Sequence, residues 1–384
     1  MNHDTLVLVL IPRRARPTTT GVTLRDLATA IVPLGRNLAA MHLPMLRASS
    51  PAFASWAVTE GCNLKCAHCS MNRPLPDELT HEQRLAVAHK LAASDAWGVS
   101  LIGGEPLLVK GLFEYARILK AAGKRVFLGT SGERLDRHID ELFDAGIDYL
   151  TVSFEGHTPG EHDAFRGKPG LFNRVAAALS AITARRSGST PRIQVRCTLN
   201  RQNFRTIHHT LDFWLDRVDN VLVQVVQNNC LHEVRDTSCL FQPEDRPEFE
   251  RVYAALRARY PFLSGRHYDL LPRYVFEPEA LHADIGFRCL LVPATSIVVE
   301  ANGKVKLCHG RPDSSLGSLL DAPLDHLWTA PRADAARTSM QSKDYGCMCW
   351  ESAFAKNLEL VQATQQLEAL RDGIEHFFGA RPGP

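Results

Sequence analysis

Three cysteines lie close together in the first fifth of the chain, where Cys62, Cys66 and Cys69 form a C-x3-C-x2-C run. Three thiolates from one loop can ligate three irons of a 4Fe–4S cluster and leave the fourth iron open to an exogenous ligand. A structural zinc site needs four ligands, commonly from paired C-x2-C units. Because His68 lies directly beside Cys69, it is poorly placed to complete a zinc tetrahedron. The spacing therefore favours an iron–sulfur cluster over a zinc knuckle or a chance arrangement.

A second group of cysteines begins much further along the chain. Cys289 and Cys308 flank two strand-like runs, 296–300 and 304–307, which meet at Asn302-Gly303. Asn-Gly between alternating or β-branched runs is a strong signal for a hairpin turn. Two thiols at the ends of a hairpin make half of a metal site.

The other half of this second site is predicted to come from Cys347 and Cys349, which follow a helix-like stretch from Leu324 to Met340. Four cysteines can hold an iron–sulfur cluster, but a hairpin followed by a cysteine pair also suits a zinc ribbon. The pair is C-x-C. Either both thiols ligate in a tight bite, or one ligates and the other is free.

A glycine-rich turn, Gly103-Gly104-Glu105-Pro106, follows the apolar run Val99–Ile102 one strand–helix unit after the first cysteine run. The apolar and β-branched segment Trp56–Gly61 leads into that cysteine run, as expected of a strand that delivers its cysteines at its C-terminal end. Alone, the glycine turn indicates only a bend. Together, the two motifs resemble the radical S-adenosylmethionine (SAM) superfamily, and the resemblance covers roughly residues 52–350.

The resemblance implies a reaction. The cluster held by Cys62, Cys66 and Cys69 is expected to chelate the amino and carboxylate groups of SAM at its open iron, which makes these cysteines the catalytic ligands. Reduction by one electron then cleaves SAM to methionine and a 5′-deoxyadenosyl radical, which abstracts hydrogen from a substrate. The resemblance assigns SAM contacts to Gly103, Gly104, Glu105, Pro106, Ser153, Glu155 and Arg196.

Some strand-end residues depart from the family pattern. Ser131 stands where relatives often have the Asn of a Thr-Asn-Gly turn, and Glu155 replaces the common Asp of the fourth-strand element. Arg196 matches an arginine that approaches the SAM carboxylate in many relatives, to which a guanidinium offers a bidentate fork. Gln224 is a further candidate to face the barrel mouth. The alternative for each is a solvated loop or a polar group that caps the core.

The segments His162–Gly167 and Pro169–Phe172 and the C-x13-G-x4-C hairpin resemble the branch of the superfamily with a C-terminal SPASM extension. The resemblance implies an auxiliary 4Fe–4S cluster, which would act as an electron relay or a structural clip. No cysteine follows Cys349, which favours the shortened twitch form with a single auxiliary cluster. The implied ligands of that cluster are Cys289, Cys308, Cys347 and Cys349.

Short apolar runs alternate with amphipathic segments of helix length from Ala52 to Val226, the pattern of βα units around a parallel sheet. This predicts an α/β fold: a partial (β/α)6 TIM barrel with a small C-terminal hairpin-and-helix module of the twitch type. Active sites in such barrels lie at the C-terminal ends of the strands. The predicted third to sixth strands are Val126–Thr130, Leu150–Phe154, Ile193–Leu199 and Val221–Val226.

We expect four regions. A strand and helix within 1–51 pack on the barrel, with recognition of a leader peptide as the minority interpretation. The later regions are the core barrel at 52–265, the auxiliary cluster domain at 266–350, and a C-terminal helix and tail at 351–384.

Length and composition exclude several classes of protein. The 384 residues carry a net charge of +2, which gives no support for binding to nucleic acid. The apolar run Leu6–Ile11 is far shorter than the roughly 18 residues of a membrane span, and it lacks the features of a secretion signal. Seven of the ten cysteines fall in metal-like positions, so a reducing cytoplasm is expected rather than a disulfide-rich secreted protein.

Three further cysteines remain. Cys197 should face away from the barrel interior because it follows Arg196 on a strand, and Cys230 and Cys239 lie after the sixth strand near the expected cavity. Buried, inert thiols are the default. The alternative is that one of them donates a hydrogen atom to a substrate radical, as thiols do in radical epimerases of this superfamily.

The favoured function is oxidative modification of a peptide side chain, by dehydrogenation or crosslinking, in the maturation of a ribosomally made natural product. The alternatives are oxidation or epimerisation of a small molecule such as an aminocyclitol or sugar and, more distantly, a non-catalytic iron–sulfur or zinc scaffold. The expected partners are the substrate and a reductant such as flavodoxin or ferredoxin.

Overall fold

A computed structural model describes residue 36 and residues 47–188, 190–227 and 234–342. The expected N-terminal strand and helix, the C-terminal helix, and Cys230, Cys347 and Cys349 lie outside the described residues. The predictions for them are therefore carried forward without a structural account.

The described residues form one nine-stranded sheet in the order β6-β5-β4-β3-β2-β1-β7-β8-β9. Each neighbouring pair from β6 to β1 is parallel, and β6 and β1 are not paired with each other within the described chain. The open parallel sheet confirms the predicted partial barrel. The strands are β1 Phe53–Thr59, β2 Gly98–Gly103, β3 Arg125–Thr130, β4 Tyr149–Ser153, β5 Arg192–Leu199, β6 Asn220–Val225, β7 Ser296–Val299, β8 Lys304–Lys306 and β9 Ser315–Ser318.

Helices connect the parallel strands and cover the outer face of the sheet. The sequence Thr80-His-Glu-Gln83 predicts a capping box at the start of a helix. The first helix begins there, and the side chains of Thr80 and Gln83 each accept from the backbone of the other. The helices are α1 His81–Ala93, α2 Leu112–Ala121, α3 Ile139–Asp144, α4 Pro159–Arg166, α5 Leu171–Arg185, α6 Ile207–Leu215, α7 Arg246–Arg259, α8 Arg266–Asp269, α9 Leu271–Phe276, α10 Pro278–Ile285, α11 Leu291–Thr295, α12 Leu324–Thr329 and α13 Pro331–Gln341.

Alternation along the strands separates the core from the inner face of the sheet. On β5, Val195 and Cys197 are fully buried in the hydrophobic core, whereas Arg196 and Thr198 line a cavity at the strand ends. Successive side chains of a strand point to opposite faces, so the prediction that Cys197 faces the helix layer is confirmed.

The C-terminal hairpin is joined to the barrel sheet. Strand β7 pairs in parallel with β1, from Phe53 opposite Ser296 to Trp56 opposite Val299, and β8 and β9 extend the sheet with antiparallel pairing. The hairpin was predicted, but its continuity with β1 and the additional strand β9 were not.

The prediction of one helix from Leu324 to Met340 is wrong. The structure has two helices, α12 and α13, which are separated at Ala330. Pro331 opens α13, and Ala330 before it is extended, with ψ at 148°. A proline disfavours the helical conformation in the residue that precedes it, which accounts for the break.

Candidate functional site

The three cysteines of the first run line one cavity at the C-terminal ends of the strands. Cys66 is buried and Cys62 and Cys69 are partly buried. The wall is completed by other residues of the cysteine loop, by residues of β2 to β6 and the loops after them, and by Arg166 at the end of α4. The further lining residues are Leu64, His68, Met71, Ile102, Gly103, Gly104, Gly129, Thr130, Ser131, Thr151, Ser153, Glu155, Arg166, Arg196, Thr198, Gln224, Val225, Val226 and Gln227.

The end of α4 holds the loop that carries the cysteines. The backbone N–H of Ala67 donates to the carbonyl of Phe165 at 2.9 Å, and the Cys66 thiol donates to the carbonyl of Arg166 at 3.6 Å. Gly167, which ends the helix with φ at +66°, leaves no room for a side chain, since a Cβ there would lie 2.5 Å from the carbonyl oxygen of Lys65. The loop is therefore shaped by backbone contacts as well as by its own sequence.

Two other segments hold the same loop. The backbone N–H groups of Arg235 and Asp236 both donate to the carbonyl of Ala67 at 2.9 Å. On the other side, Asn63 Nδ2 donates to Oε2 of Glu133 at 2.7 Å. The buried Glu133 in turn pairs with Arg174 on α5, with 2.9 Å between Oε1 and Nη1.

Burial raises the pKa of two of these thiols. Desolvation raises the pKa of Cys62. It also raises the pKa of Cys66, to about 11, and the positive charge of Arg166 only partly opposes that rise. Only the thiolate is a metal ligand, so cluster binding must displace the thiol protons. A site that disfavours free thiolates and places a cation beside them fits an anionic metal–sulfur centre.

Within the described residues, no three cysteine, histidine or acidic side chains come close enough together to hold a single metal ion. A cubane spreads its thiolate ligands over separate irons, whereas a structural zinc site gathers its ligands on one ion.

The glycine turn at the end of β2 lies directly against the end of β1. A Cβ on Gly104 would lie 2.2 Å from the carbonyl oxygen of Gly61, and a Cβ on Gly103, where φ is +141°, would lie 2.1 Å from that of Thr59. Both positions therefore require glycine. The contact brings the turn to the start of the cysteine loop, and both glycines line the cavity.

Glu105 occupies a different position from its neighbours in the turn. Its carboxylate is fully buried and is absent from the described cavity wall. It accepts from Thr130 Oγ1 at 2.7 Å, from the Ser131 backbone N–H at 2.8 Å and from the Leu107 backbone N–H at 3.1 Å. Glu105 thus braces the loop after β3, and a SAM contact through its carboxylate stays a prediction.

The predicted polar residues of β4 and β5 meet at the cavity. Ser153 and Arg196 are paired across the strands and both line the wall. The neighbouring Glu155 is buried and accepts from the Thr198 backbone N–H at 2.5 Å. Ser131 and Gln224 also line the cavity. The geometry brings these candidates together without testing what each one binds.

Arg166 is a site residue that sequence reasoning missed. It was noticed only as part of the segment His162–Gly167, yet it lines the cavity and pairs with Glu155. Gln227, which accepts from the Tyr274 hydroxyl at 2.9 Å, was also missed. The period of two along the strands would have identified Thr151 and Thr198 as inward-facing, but no local signal marks Arg166.

The remaining cysteines differ in surroundings. Cys308 is buried, and Cys289 is partly buried against the core; they are the described members of the predicted second site. Cys239 is fully buried with Phe165, Val226 and Val234 and does not line the cavity. Desolvation raises its pKa to about 11, as expected of an inert buried thiol.

No helix of the described residues has the length and apolar character needed to cross a membrane.

Comparison with known proteins matches residues 56–213 to the radical SAM superfamily and residues 289–351 to the SPASM iron–sulfur cluster-binding domain. These domains imply a 4Fe–4S cluster that binds SAM and an auxiliary iron–sulfur cluster. The second match spans Cys289, Cys308, Cys347 and Cys349.

Curated relatives carry out several reactions. The chain is 34% identical over 168 residues to AdoMet-dependent heme synthase of Methanosarcina barkeri, covering 43% of this chain and 47% of that protein. It is 30% identical to the sporulation killing factor maturation protein SkfB of Bacillus subtilis, covering 40% and 37%. It is 24% identical to PqqA peptide cyclase of Rhizobium meliloti, covering 83% and 87%. The chain thus spans less than half the length of the heme synthase and of SkfB.

Solved structures share the fold. SuiB of Streptococcus suis bound to the precursor peptide SuiA aligns with a TM-score of 0.58 at 13% identity, covering 79% of this chain and 70% of that one. Native anSMEcpe with bound AdoMet aligns with a TM-score of 0.57 at 14% identity, covering 84% of this chain and 100% of that one.

Proposed function

We propose that this chain, which belongs to the radical SAM superfamily and carries a C-terminal SPASM domain, is an enzyme that removes hydrogen from a peptide side chain. The observation that carries the proposal is the single cavity shared by Cys62, Cys66 and Cys69, the Gly103-Gly104 turn, and polar residues from β4 to β6. Thiol ligands, a backbone turn and polar groups meet there at the C-terminal ends of parallel strands, the usual place for a barrel active site.

The protein's part is to bind and orient the reactants. The three cysteines are proposed to ligate the cluster, while Gly103, Gly104, Pro106, Ser153 and Arg196 contact SAM, together with Glu105 and Glu155. When bound, the cluster and SAM supply a 5′-deoxyadenosyl radical, which takes hydrogen from the substrate. The protein places the reacting atoms and keeps other groups away from them.

The charge of the cavity favours a neutral or weakly charged substrate. Among its described lining residues, the fixed charges are Arg166, Arg196 and Glu155, and Arg166 is paired with Glu155. A tetrapyrrole with several carboxylates or a nucleoside triphosphate needs several cations to hold it. The β6 side of the wall instead offers the amides of Gln224 and Gln227, which suit the amide groups of a peptide.

The same proposal is supported by the similarity to the maturation protein SkfB, to PqqA peptide cyclase and to SuiB, whose structure contains a bound precursor peptide. The second candidate is dehydrogenation or epimerisation of a polyol such as an aminocyclitol or sugar. It is favoured by the hydroxyl and amide groups of Thr151, Thr198 and Gln224 in the same wall, since neutral polar side chains also bind hydroxyls.

Cys289, Cys308, Cys347 and Cys349 are proposed to hold an auxiliary cluster, which would supply a one-electron acceptor. Loss of one electron and one proton from the substrate, after the first hydrogen atom is removed, would give net dehydrogenation or a crosslink. A low-potential reductant such as flavodoxin or ferredoxin supplies the first electron. Such chemistry fits a reducing cytoplasm.

The test is anaerobic reconstitution with iron and sulfide, followed by incubation with SAM and dithionite. Formation of 5′-deoxyadenosine is expected, and Cys66→Ala is the control without it. Peptides encoded beside the gene should acquire a mass loss of two hydrogens, whereas an aminocyclitol that is oxidised instead would favour the second candidate. If reconstituted protein forms no 5′-deoxyadenosine under any of these conditions, the chain is a scaffold and the enzyme proposal is wrong.

A further inference from the structure

Two opposite charges are buried beside the cluster cysteines. Arg166 is 6% exposed and Glu155 is 3% exposed, with 3.5 Å between Nη1 of Arg166 and Oε1 of Glu155. Both line the cavity with Cys62, Cys66 and Cys69. Burying two ions costs several kcal/mol each, which their attraction offsets only in part. Stability alone is therefore a weak reason to place this pair here.

The surroundings fix both members of the pair. The Glu155 carboxylate accepts from the backbone N–H of Thr198, and the Glu155 carbonyl accepts from Asn203 Nδ2 at 3.0 Å. The carbonyl of Arg166 accepts the Cys66 thiol, so the residue that carries the guanidinium also contacts the cluster loop. The Glu155 carboxylate cannot move away without breaking its contact with Thr198, and the backbone of Arg166 cannot move without breaking its contact with the cluster loop.

The charge states follow from the burial and the neighbours. A guanidinium is protonated at any ordinary pH, and Arg166 lies 3.5 Å from the Glu155 carboxylate, so it stays cationic although it is buried. Desolvation raises the pKa of Glu155, and the Arg166 charge opposes that rise. The ionised carboxylate is stabilised by the Arg166 guanidinium and by the Thr198 backbone N–H.

A 4Fe–4S core with three thiolate ligands is a net negative site and becomes more negative on reduction by one electron. Its reduction potential responds to nearby charge and to solvent exposure, and charges act strongly on one another in a buried site. We propose that the Arg166–Glu155 pair sets the reduction potential of the SAM cluster. The guanidinium favours the reduced form, and the carboxylate limits that effect. This inference rests on the proposed function, which assigns the cluster to Cys62, Cys66 and Cys69.

The first test variant is Glu155→Gln, which keeps the shape and removes the negative charge. The reduction potential of the SAM cluster is expected to become less negative. Arg166→Met alone is a poor test, because a buried Glu155 without its partner takes up a proton and cancels the change in charge. The second comparison is therefore between Glu155→Gln/Arg166→Met and Glu155→Gln. The double variant should have the more negative potential, since only the positive charge differs.

The measurement is a potentiometric titration of the anaerobic holoenzyme followed by electron paramagnetic resonance. The signal to follow is the one that changes shape when SAM is added to a parallel sample, because an open iron distinguishes the SAM cluster from the auxiliary cluster. Iron content and the thermal unfolding midpoint are recorded for every variant, so that loss of cluster is not mistaken for a shift in potential.

The matched control is Arg174→Met. Arg174 supports the cluster loop through Glu133 and Asn63, but it does not line the cavity. Its loss is expected to reduce iron retention and to leave the potential unchanged. A potential that moves equally in Arg174→Met would show that loop support, not the charge of Arg166, controls it.

Two results would overturn the inference. One is an unchanged potential in Glu155→Gln with full iron content. The other is a potential that becomes less negative in Glu155→Gln and then less negative again when Arg166→Met is added. If the double variant loses its cluster, Glu155→Gln still decides, because it leaves Arg166 in place. A wild-type protein without any SAM-responsive signal contradicts the proposed function itself, which separates the two failures.

Discussion

Cys62, Cys66 and Cys69 come from one loop after β1, whereas Cys289 and Cys308 lie before and after the β7–β8 hairpin, away from its turn. The first loop is held by α4, by Arg235 and Asp236, and by Glu133. Because β7 runs parallel to β1, the hairpin turn lies at the end of the sheet that carries this loop. The chain reaches Cys308 only after running back along β8.

The difference between these two regions shows which metal ligands can be predicted from a sequence. When all ligands of a site lie in one loop, their spacing along the sequence is set by that loop alone. The motif can therefore be recognised without knowledge of the rest of the fold. A site built from hairpin ends and a later pair depends on how distant elements pack. The two regions should therefore respond differently to substitution.

The largest expected effect is a difference between cysteine substitutions in the first region and those in the second. Alanine at Cys62, Cys66 or Cys69 should abolish 5′-deoxyadenosine formation, because three ligands are the least that can hold a cubane with one open iron. Alanine at Cys289 or Cys308 should lower the iron content and leave SAM cleavage measurable. Iron assay and chromatographic detection of 5′-deoxyadenosine check both. Equal loss of SAM cleavage in both groups would break the comparison.

Gly104→Ala tests whether the first region depends on close backbone packing. The added Cβ would lie 2.2 Å from the Gly61 carbonyl oxygen and 2.5 Å from that of Glu60, so two strand ends must separate. We expect a loss of about 3 kcal/mol in the free energy of unfolding, at the upper end for overpacking, and poor cluster incorporation. Gly160→Ala is the control, since its nearest contact would be an ordinary 3.9 Å. Denaturant unfolding measures both, and similar losses would refute the packing argument.

Ser314→Ala tests the support of the second region. The buried Ser314 hydroxyl accepts from the Cys308 backbone N–H at 3.2 Å and lies 2.6 Å from the Arg311 carbonyl oxygen and 3.0 Å from that of Cys308. Leaving these groups unpaired should cost about 1–2 kcal/mol. Iron retention should fall at the auxiliary cluster only. The exposed Ser187→Ala serves as a neutral comparison, and a weakened SAM cluster in Ser314→Ala would contradict the separation of the two sites.

The smallest effect concerns pH in the first region. Burial lowers the pKa of His162 to about 3, so the folded protein holds it neutral and its Nδ1 accepts from the Glu155 backbone N–H. An unfolded histidine titrates near 6.5. The neutral His162 therefore contributes fully to the free energy of unfolding above about pH 6.5, and this contribution is lost as pH falls towards 3. Between pH 7 and pH 5.5 the loss in the free energy of unfolding should amount to about 1 kcal/mol.

His162→Gln removes the titrating group and keeps an acceptor for Glu155. Urea unfolding at the two pH values should therefore show a smaller acid loss in the variant than in the wild type. An identical loss in both proteins would mean that His162 is not the group responsible.

The fold was largely predictable because apolar runs and their spacing report strands directly. The predicted third to sixth strands lie within one residue of those observed, and Thr80 with Gln83 marked the start of α1 correctly. The hairpin turn at Asn302-Gly303 was likewise encoded locally. The break at Pro331 was also encoded, but it was overlooked.

What could not be predicted depends on contacts between distant residues. No motif near Arg166 predicts that its guanidinium contacts Glu155 beside the cysteines. The contact arises because the packing of helix α4 places Arg166 there. The burial of the Glu105 carboxylate against Thr130 and Ser131 depends on how β2 and β3 pack. The motifs predicted several residues that line the cavity, whereas the orientation of their side chains depends on tertiary structure.

The parallel pairing of β1 with β7 has a practical consequence for shortening the chain. Strand β1 is buried along its whole length, with β2 on one side and β7 on the other. Cutting the chain before the hairpin would turn β1 into an edge strand with a row of unpaired backbone groups beside apolar side chains, and such edges promote aggregation. The barrel cannot be isolated from the SPASM domain without exposing the strand that leads to its cluster loop.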